Sequence, residues 1–256
     1  MESFVIEIAE LVTCVSPLFG STKEYCKAYL SHKDAEFSVS VTKEDLLQQQ
    51  ILLEREAVAE GLKIRKFQDP FLERAVIQRK VADQLLHKDT LMVHGSTVAV
   101  DNRAYLFTAP CGTGKSTHAR LWRDKFGERA VMVNDDKPFL KITDSGVLAY
   151  GSPWSGKHGL DTNISVPLQG ICFLERGSKN VIRRINPELV LSEFLRQTHI
   201  PADPGFAEKT LSLVEALLEQ IPLWKLSCNK ELEAATVSYS AMCDVDSDFA
   251  VFAMDY

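Results

Sequence analysis

The chain has 256 residues, 45% of them hydrophobic and 25% charged, with a formal net charge of −6. This is an ordinary globular composition, enough for one or two domains at roughly 150 residues each, and it excludes fibrous and low-complexity classes. The acidic balance excludes a chain whose main work is to coat nucleic acid or an anionic membrane, and no window approaches the run of about 18 apolar residues that spans a bilayer.

The N-terminal segment reads as a small α/β layer. Its opening, MESFVIEIAELVTCV, holds acids and no basic stretch. That is unlike a secretory leader, so a cytoplasmic location is expected. Apolar patterning predicts strands over 4–8, 11–16 and 35–41, the last with Phe37, Val39 and Val41 on one face. A short helix is expected over 21–30. Thr42 with Asp45 three residues on forms a helix-start signal, and Gly61 is the expected stop of that helix. Asp69-Pro70 is a second start, an acid cap followed by proline at the first helical position. Its helix is expected to run to about His87. Residues 1–88 therefore form one expected region and 89–256 a second.

The second region is rich in predicted strands, over 91–93, 97–100, 104–108, 130–134, 139–142, 147–150, 170–174 and 181–185. Helical periodicity then covers 187–198, 206–220 and 230–242, with a strand over 223–228 between them. The apolar tail 249–256 reads as a final strand or as a contact between two copies of the chain, which makes a homo-oligomer an expected partner state. The six cysteines, at 14, 26, 111, 172, 228 and 243, contain no C-x-x-C spacing. Reduced thiols are expected, with neither a disulfide framework nor a zinc site.

The strongest signal lies at Tyr105-Leu-Phe-Thr-Ala-Pro-Cys-Gly-Thr-Gly-Lys-Ser-Thr117. An apolar strand enters a tight glycine-containing turn, then Lys-Ser opens a helix, the context of a phosphate-binding P-loop. Gly112 and Gly114 let successive N–H groups converge on phosphate oxygens, and the helix N-terminus adds its positive end. Lys115 can reach the β/γ-phosphates, and the Ser116 hydroxyl can ligate Mg²⁺. The expected nucleotide contacts are Pro110, Cys111, Gly112, Thr113, Gly114, Lys115, Ser116 and Thr117. Ala109 stands where the G-x-x-x-x-G-K-[ST] pattern has its first glycine. Downstream, an apolar strand ends in Asp135-Asp136. Strand, helix and strand are expected to form a βαβ unit that puts these acids beside the loop. There they can hold a metal and take a proton from an attacking hydroxyl. The run Asn-Asp-Asp-Lys is not the guanine-reading Asn-Lys-x-Asp, which disfavours a Ras-type GTPase.

Together, His94-Gly-Ser, the Ala-Pro-Cys-Gly-Thr-Gly-Lys-Ser-Thr loop and Asn-Asp-Asp resemble the nucleotide-binding core shared by HPr kinase/phosphorylase and ATP-dependent phosphoenolpyruvate carboxykinase. The resemblance covers about residues 90–185. It implies a fold of that type: an α/β P-loop core of mixed strands, a small N-terminal α/β layer and a helical C-terminal part. It implies that His94 and Asp136 are metal ligands with Ser116, and that Asp135 is the general base. Mg²⁺ is the implied ion, with Mn²⁺ as an alternative.

The sequence also departs from that family. An acidic Glu-Ile-Arg-Gly-Leu-Gly type segment of the HPr kinases has as its counterpart here Tyr150-Gly-Ser-Pro-Trp-Ser-Gly-Lys-His-Gly159, with no acid. The 90 residues before the core are too few for the dicarboxylate-binding domain of the carboxykinases, so decarboxylation is not expected. The 150–159 segment resembles the Pro-Trp loop of HPr-kinase-like proteins of peptide-modification cassettes. Two readings of it stand side by side. Trp154, Ser155, Gly156, Lys157 and His158 form a substrate loop, with Lys157 on a phosphate and Trp154 walling a pocket, or Trp154 packs and pins a surface loop.

The expected function is a kinase using ATP (or another NTP or PPi) and Mg²⁺ to phosphorylate a hydroxyl, a serine of a peptide or protein. Residues 1–88 would serve as acceptor docking or lid. The alternatives are a kinase of a small hydroxylated metabolite and a nucleotide-gated binding protein without turnover. Lys115→Ala separates the last from the others: a kinase shows slow basal ATP hydrolysis that this substitution abolishes, measured as phosphate release.

Overall fold

The first strands follow the predicted alternation in a computed structural model that describes residues 2–59 and 61–243. β1 (Phe4–Ile8) and β2 (Leu11–Ser16) pair antiparallel across a two-residue turn, and β3 (Phe37–Ser40) adds parallel to β2. The helix expected over 21–30 divides into α1 (Ser21–Tyr25) and a 3-10 turn at Lys27–Tyr29. At the start of α2 (Lys43–Ala59), Thr42 Oγ1 accepts from the Asp45 amide at 3.1 Å. Asp45 Oδ2 accepts in return from the Thr42 amide at 2.8 Å. α3 (Asp69–Leu85) takes Gln68 as its cap, one residue before the predicted Asp69, a shift of the size helix ends commonly show.

The central sheet is mixed and has nine strands. They are β4 (Thr90–Met92), β5 (Ser96–Val100), β6 (Arg103–Thr108), β7 (Ala130–Asn134), β8 (Phe139–Thr143), β9 (Gly146–Tyr150), β10 (Ser165–Arg176), β11 (Val181–Arg184) and β12 (Leu223–Cys228). The main order is β4-β8-β9-β10-β6-β5-β7, with β12 on β10 and β11 on β12. β10 has 12 residues where periodicity predicted five. Pro167 and the exposed Ser165 hide its first half, which pairs with β9 before the strand continues beside β6 and β12.

Four further helices flank the sheet: α4 (Lys115–Phe126), α5 (Leu191–Leu195), α6 (Pro204–Gln220) and α7 (Glu233–Cys243). The segment 187–198, expected as one helix, splits into a 3-10 turn at Pro187–Leu189 and the short α5. α6 starts two residues before its prediction because Asp203 caps it, accepting from the Gly205 and Phe206 amides at 2.9 and 3.3 Å. The tail 249–256 lies outside the described residues.

Alternation along β6 gives the sheet two apolar faces. Ala104 and Leu106 join one cluster with Val214 and Leu217 of α6 and Phe194 of α5. Tyr105 and Phe107 join another with Ala119 and Trp122 of α4 and Ala234 and Ala235 of α7. A third cluster holds the N-terminal strands, α3, and four residues of the later chain: Met92, Phe139, Tyr150 and Trp154. No helix among the described residues is long and apolar enough to cross a membrane.

A buried carboxylate ties α3 to the start of α1. Glu73 is fully buried and accepts from the Leu18 and Phe19 amides and the Thr22 hydroxyl. Losing it leaves the buried Thr22 hydroxyl and the part-buried Leu18 and Phe19 amides without their acceptor, each worth about 1–3 kcal/mol. Glu73→Ala is therefore expected to cost at least about 3 kcal/mol, read from the midpoint of urea unfolding.

Candidate functional site

Strand direction brings the predicted groups to one end of the sheet. β5 lies between β6 and β7 and runs antiparallel to both. Ser96, which opens β5, is opposite Phe107 near the end of β6, and Thr97 is opposite Asn134 at the end of β7. The P-loop after β6, the acid pair after β7 and His94 before β5 therefore share that end. The expected βαβ unit has an antiparallel strand between its two parallel ones, because the β5–β6 hairpin fills the place beside β6 first. The ends of β10 and β12 lie on the same side, since both run parallel to β6 or to each other.

The P-loop takes the backbone shape its glycines permit. Gly112 and Gly114 have φ of +76° and +132°, and α4 begins at the next residue. Lys115 is buried, and its Nζ donates to the Ala109 carbonyl at 2.8 Å and to the Pro110 carbonyl at 3.4 Å. Cys111 and Gly112 are exposed. Thr113, Gly114, Ser116 and Thr117 are half-buried. Arg176, at the end of β10, donates from Nη2 to the Gly112 carbonyl and from Nε to the Thr113 carbonyl at 3.4 Å. At the end of β11, Arg184 stacks over Trp224 at 4.8 Å and Arg183 is exposed. A cleft of about 490 Å³ opens beside the loop, walled by Thr117, Leu121, Leu174, Arg176, Cys228 and Asn229. His118 also borders it, but is 2% exposed and bonded to Ser238 at 3.0 Å. Burial pushes its imidazole down to about 4, so it is neutral.

The acid pair is held by a turn that Asn134 builds. Its Oδ1 accepts from the Asp136 and Lys137 amides at 2.8 and 2.6 Å, and its Nδ2 donates to Ser152. Asp135 is buried, and its Oδ1 accepts from the Ser96 hydroxyl at 2.8 Å. Asp136 lies 3.4 Å from Nε2 of His94. The spacing is that of an ion pair, but burial and the charges of Lys137 and Lys115 push the His94 imidazole down to about 2. The contact is therefore between a neutral ring and a carboxyl group. Burial raises the Asp136 carboxyl, Lys137 and Lys115 lower it, and Asp135 adds to the rise. Gln197 supports His94 from the C-terminal part: its backbone carbonyl accepts from the His94 amide at 2.7 Å.

Among the described residues no three His, Cys, Asp or Glu side chains converge for a metal ion. The available donors are the His94 imidazole, the Asp136 carboxyl group and the Ser116 hydroxyl. That set is too small for a closed protein cage. It fits Mg²⁺, which keeps water and phosphate oxygens in its shell and takes only one or two carboxylates.

The 150–159 loop reaches the acids but does not present its tryptophan to them. Gly156 has φ +69°, and a Cβ there would meet Asp136 Cβ at 3.1 Å. Trp154 is buried against Phe139, and its Nε1 donates to the Arg74 carbonyl at 2.9 Å. It pins the loop to α3 instead of walling a pocket. Ser155 is buried and bonded to Asp161 at 2.5 Å. Gly156, Lys157 and His158 are exposed. Sequence reading missed the supporting residues Ser96, Arg176 and Gln197. For the first, a hydroxyl two residues after His94 was the available signal.

No family model and no curated protein matches the sequence. Among solved structures, the HPr(Ser) kinase/phosphatase from Coxiella burnetii is similar at a TM-score of 0.38 and 12% identity, over 61% of this chain and 99% of that one. This is a distant likeness.

The Asn134 turn supplies a direct test. Asn134→Ala leaves the two amides after it without their acceptor. It is expected to cost about 1–3 kcal/mol, read from urea unfolding.

Proposed function

We propose that the chain is an ATP- and Mg²⁺-dependent phosphotransferase with an HPr kinase-like core that phosphorylates a hydroxyl, a serine of a peptide or protein. The observation that supports this is the convergence of a lysine-bearing P-loop, an acid pair with Asp135 buried and Asp136 half-buried, and a neutral histidine at one end of the sheet. The charge of Lys115 acts on both His94 and Asp136. In this reading the β- and γ-phosphates lie on the 110–117 backbone, and Lys115 turns from the Ala109 carbonyl to meet them. The nucleoside takes the cleft beside α4, with Leu121 and Leu174 as its apolar walls.

Ser116, Asp136 and His94 hold the ion, which when bound neutralises charge on the phosphate oxygens. Asp135 takes the proton of the acceptor hydroxyl while that oxygen forms a bond to the γ-phosphorus. The bond from γ-phosphorus to the bridging oxygen breaks, and ADP leaves. Placing the groups and balancing their charge carries most of the rate, as in other phosphoryl transfers. Ser96 keeps the Asp135 carboxylate oriented through its hydroxyl. Residues 1–88 form the acceptor side, and 89–256 the kinase unit.

Asp135→Asn tests the assignment, because the amide oxygen can still accept from Ser96. Phosphate transfer to a peptide acceptor is expected to fall by about 10²–10⁴-fold, with ATP affinity within about twofold of wild type. Transfer at the wild-type rate in a variant that still binds ATP would sink the reading.

A further inference from the structure

Arg74 is a cation on the N-terminal side of the acids that makes no ion pair among the described residues. It lies on α3 and is half-buried, and its Nε is buried without a hydrogen-bond partner. Other arginines are matched: Arg79 with Glu56, Arg129 with Asp101, Arg120 with Asp124. The carboxylates around Arg74 are already engaged. Its neighbour Glu73 is taken up by Leu18, Phe19 and Thr22. Asp161 accepts from Tyr29 at 2.9 Å and from Ser155 at 2.5 Å.

Arg74 is also fixed in place. Its guanidinium carbon lies 4.3 Å over the ring of Tyr25. Its carbonyl accepts from Trp154, two residues before the Gly156 that packs on Asp136. The hydroxyl of Tyr25 feels the charges of Arg74, Asp161 and Asp136 together. Arg74 and Tyr25 thus sit on the side of the acid pair that the N-terminal region supplies. The cleft beside α4 is lined by other residues.

A half-buried guanidinium that makes no ion pair among the described residues is poised for an anion. Its planar fork matches a carboxylate or phosphate with two parallel hydrogen bonds, and stacking on an aromatic ring keeps it preorganised. We propose that Arg74, backed by Tyr25, selects an acceptor that carries a carboxylate or phosphate group near the hydroxyl to be phosphorylated. This rests on the phosphotransfer reading and names the acceptor class of the same site.

The test uses matched probes and needs no turnover. The full chain is saturated with Mg²⁺ and a non-hydrolysable ATP analogue, so that the P-loop is filled. Binding of N-acetylserine against N-acetylserinamide, and of glycerol 3-phosphate against glycerol, is then read by ligand-detected NMR. The wild-type protein is expected to hold the charged member of at least one pair about tenfold or more tightly. The pair that discriminates identifies carboxylate or phosphate as the group. Arg74→Gln is expected to erase the preference. Arg74→Lys, which keeps the charge and loses the fork, is expected to reduce it, and serves alone if the glutamine variant does not fold. No preference in the wild-type protein, or a preference unchanged in the folded variants, overturns the proposal. Should ATP turnover be absent while the Arg74-dependent preference persists, the phosphotransfer reading falls and the anion site stands.

Discussion

The antiparallel ladder of β5 between β6 and β7 is the constraint on which the candidate site depends. Ladder hydrogen bonds fix register, and a slip of one residue would turn every side chain to the opposite face. Here the register sets Ser96 opposite Phe107 and Thr97 opposite Asn134. Three short segments far apart in the chain are thereby held at one sheet end: 94–96, 109–117 and 134–136. The clusters on the two faces of β6 hold that register in place, because a slipped β6 would send Tyr105 and Phe107 toward α6 and take both rings from Trp122.

Electrostatics then sets the state of the groups so assembled. Burial raises the carboxyl of the half-buried Asp136, and the neighbouring charge of Asp135 adds to the rise. Lys137 and Lys115 relieve it from nearby. The same two lysines, with burial, keep His94 neutral, the form in which an imidazole can bind a metal ion. Lys115 has a backbone carbonyl partner within the loop, so the buried ammonium has a polar group in place of water.

The N-terminal layer is joined to this end of the molecule by its core as well as by polar contacts. Trp154 enters the same apolar cluster as Ile6, Leu72 and Ile77. Tyr29 reaches Asp161, which also makes an isolated bridge with Asn134. The loop over Asp136 is therefore held from α3 on one side and from the 27–29 turn on the other.

How much of this was legible in the sequence depended on the range of the forces involved. Local signals read well. The Thr42–Asp45 cap, the alternation of β1 and β2, and the strand, loop and helix around Lys115 depend on neighbours within a few residues, and their pattern names them. The chain by itself also put an acid pair at the end of an apolar strand. It left open whether Trp154 faced a ligand or the core, since an aromatic residue between prolines and glycines suits either. It gave no sign that β10 extends back through Pro167, because its pairing there is with a strand that the spacing cannot name. Arg74, Arg176 and Gln197 read as ordinary polar residues of helices and strand ends. Their partners are 63 or more residues away for Arg176, 49 for Arg74 and 103 for Gln197 with His94. The sequence by itself thus determined the chemistry-bearing loop and its local backbone shape. Only the tertiary structure decided which distant side chains surround it, because strand order and register, set by burial on two sheet faces, are properties of the whole chain.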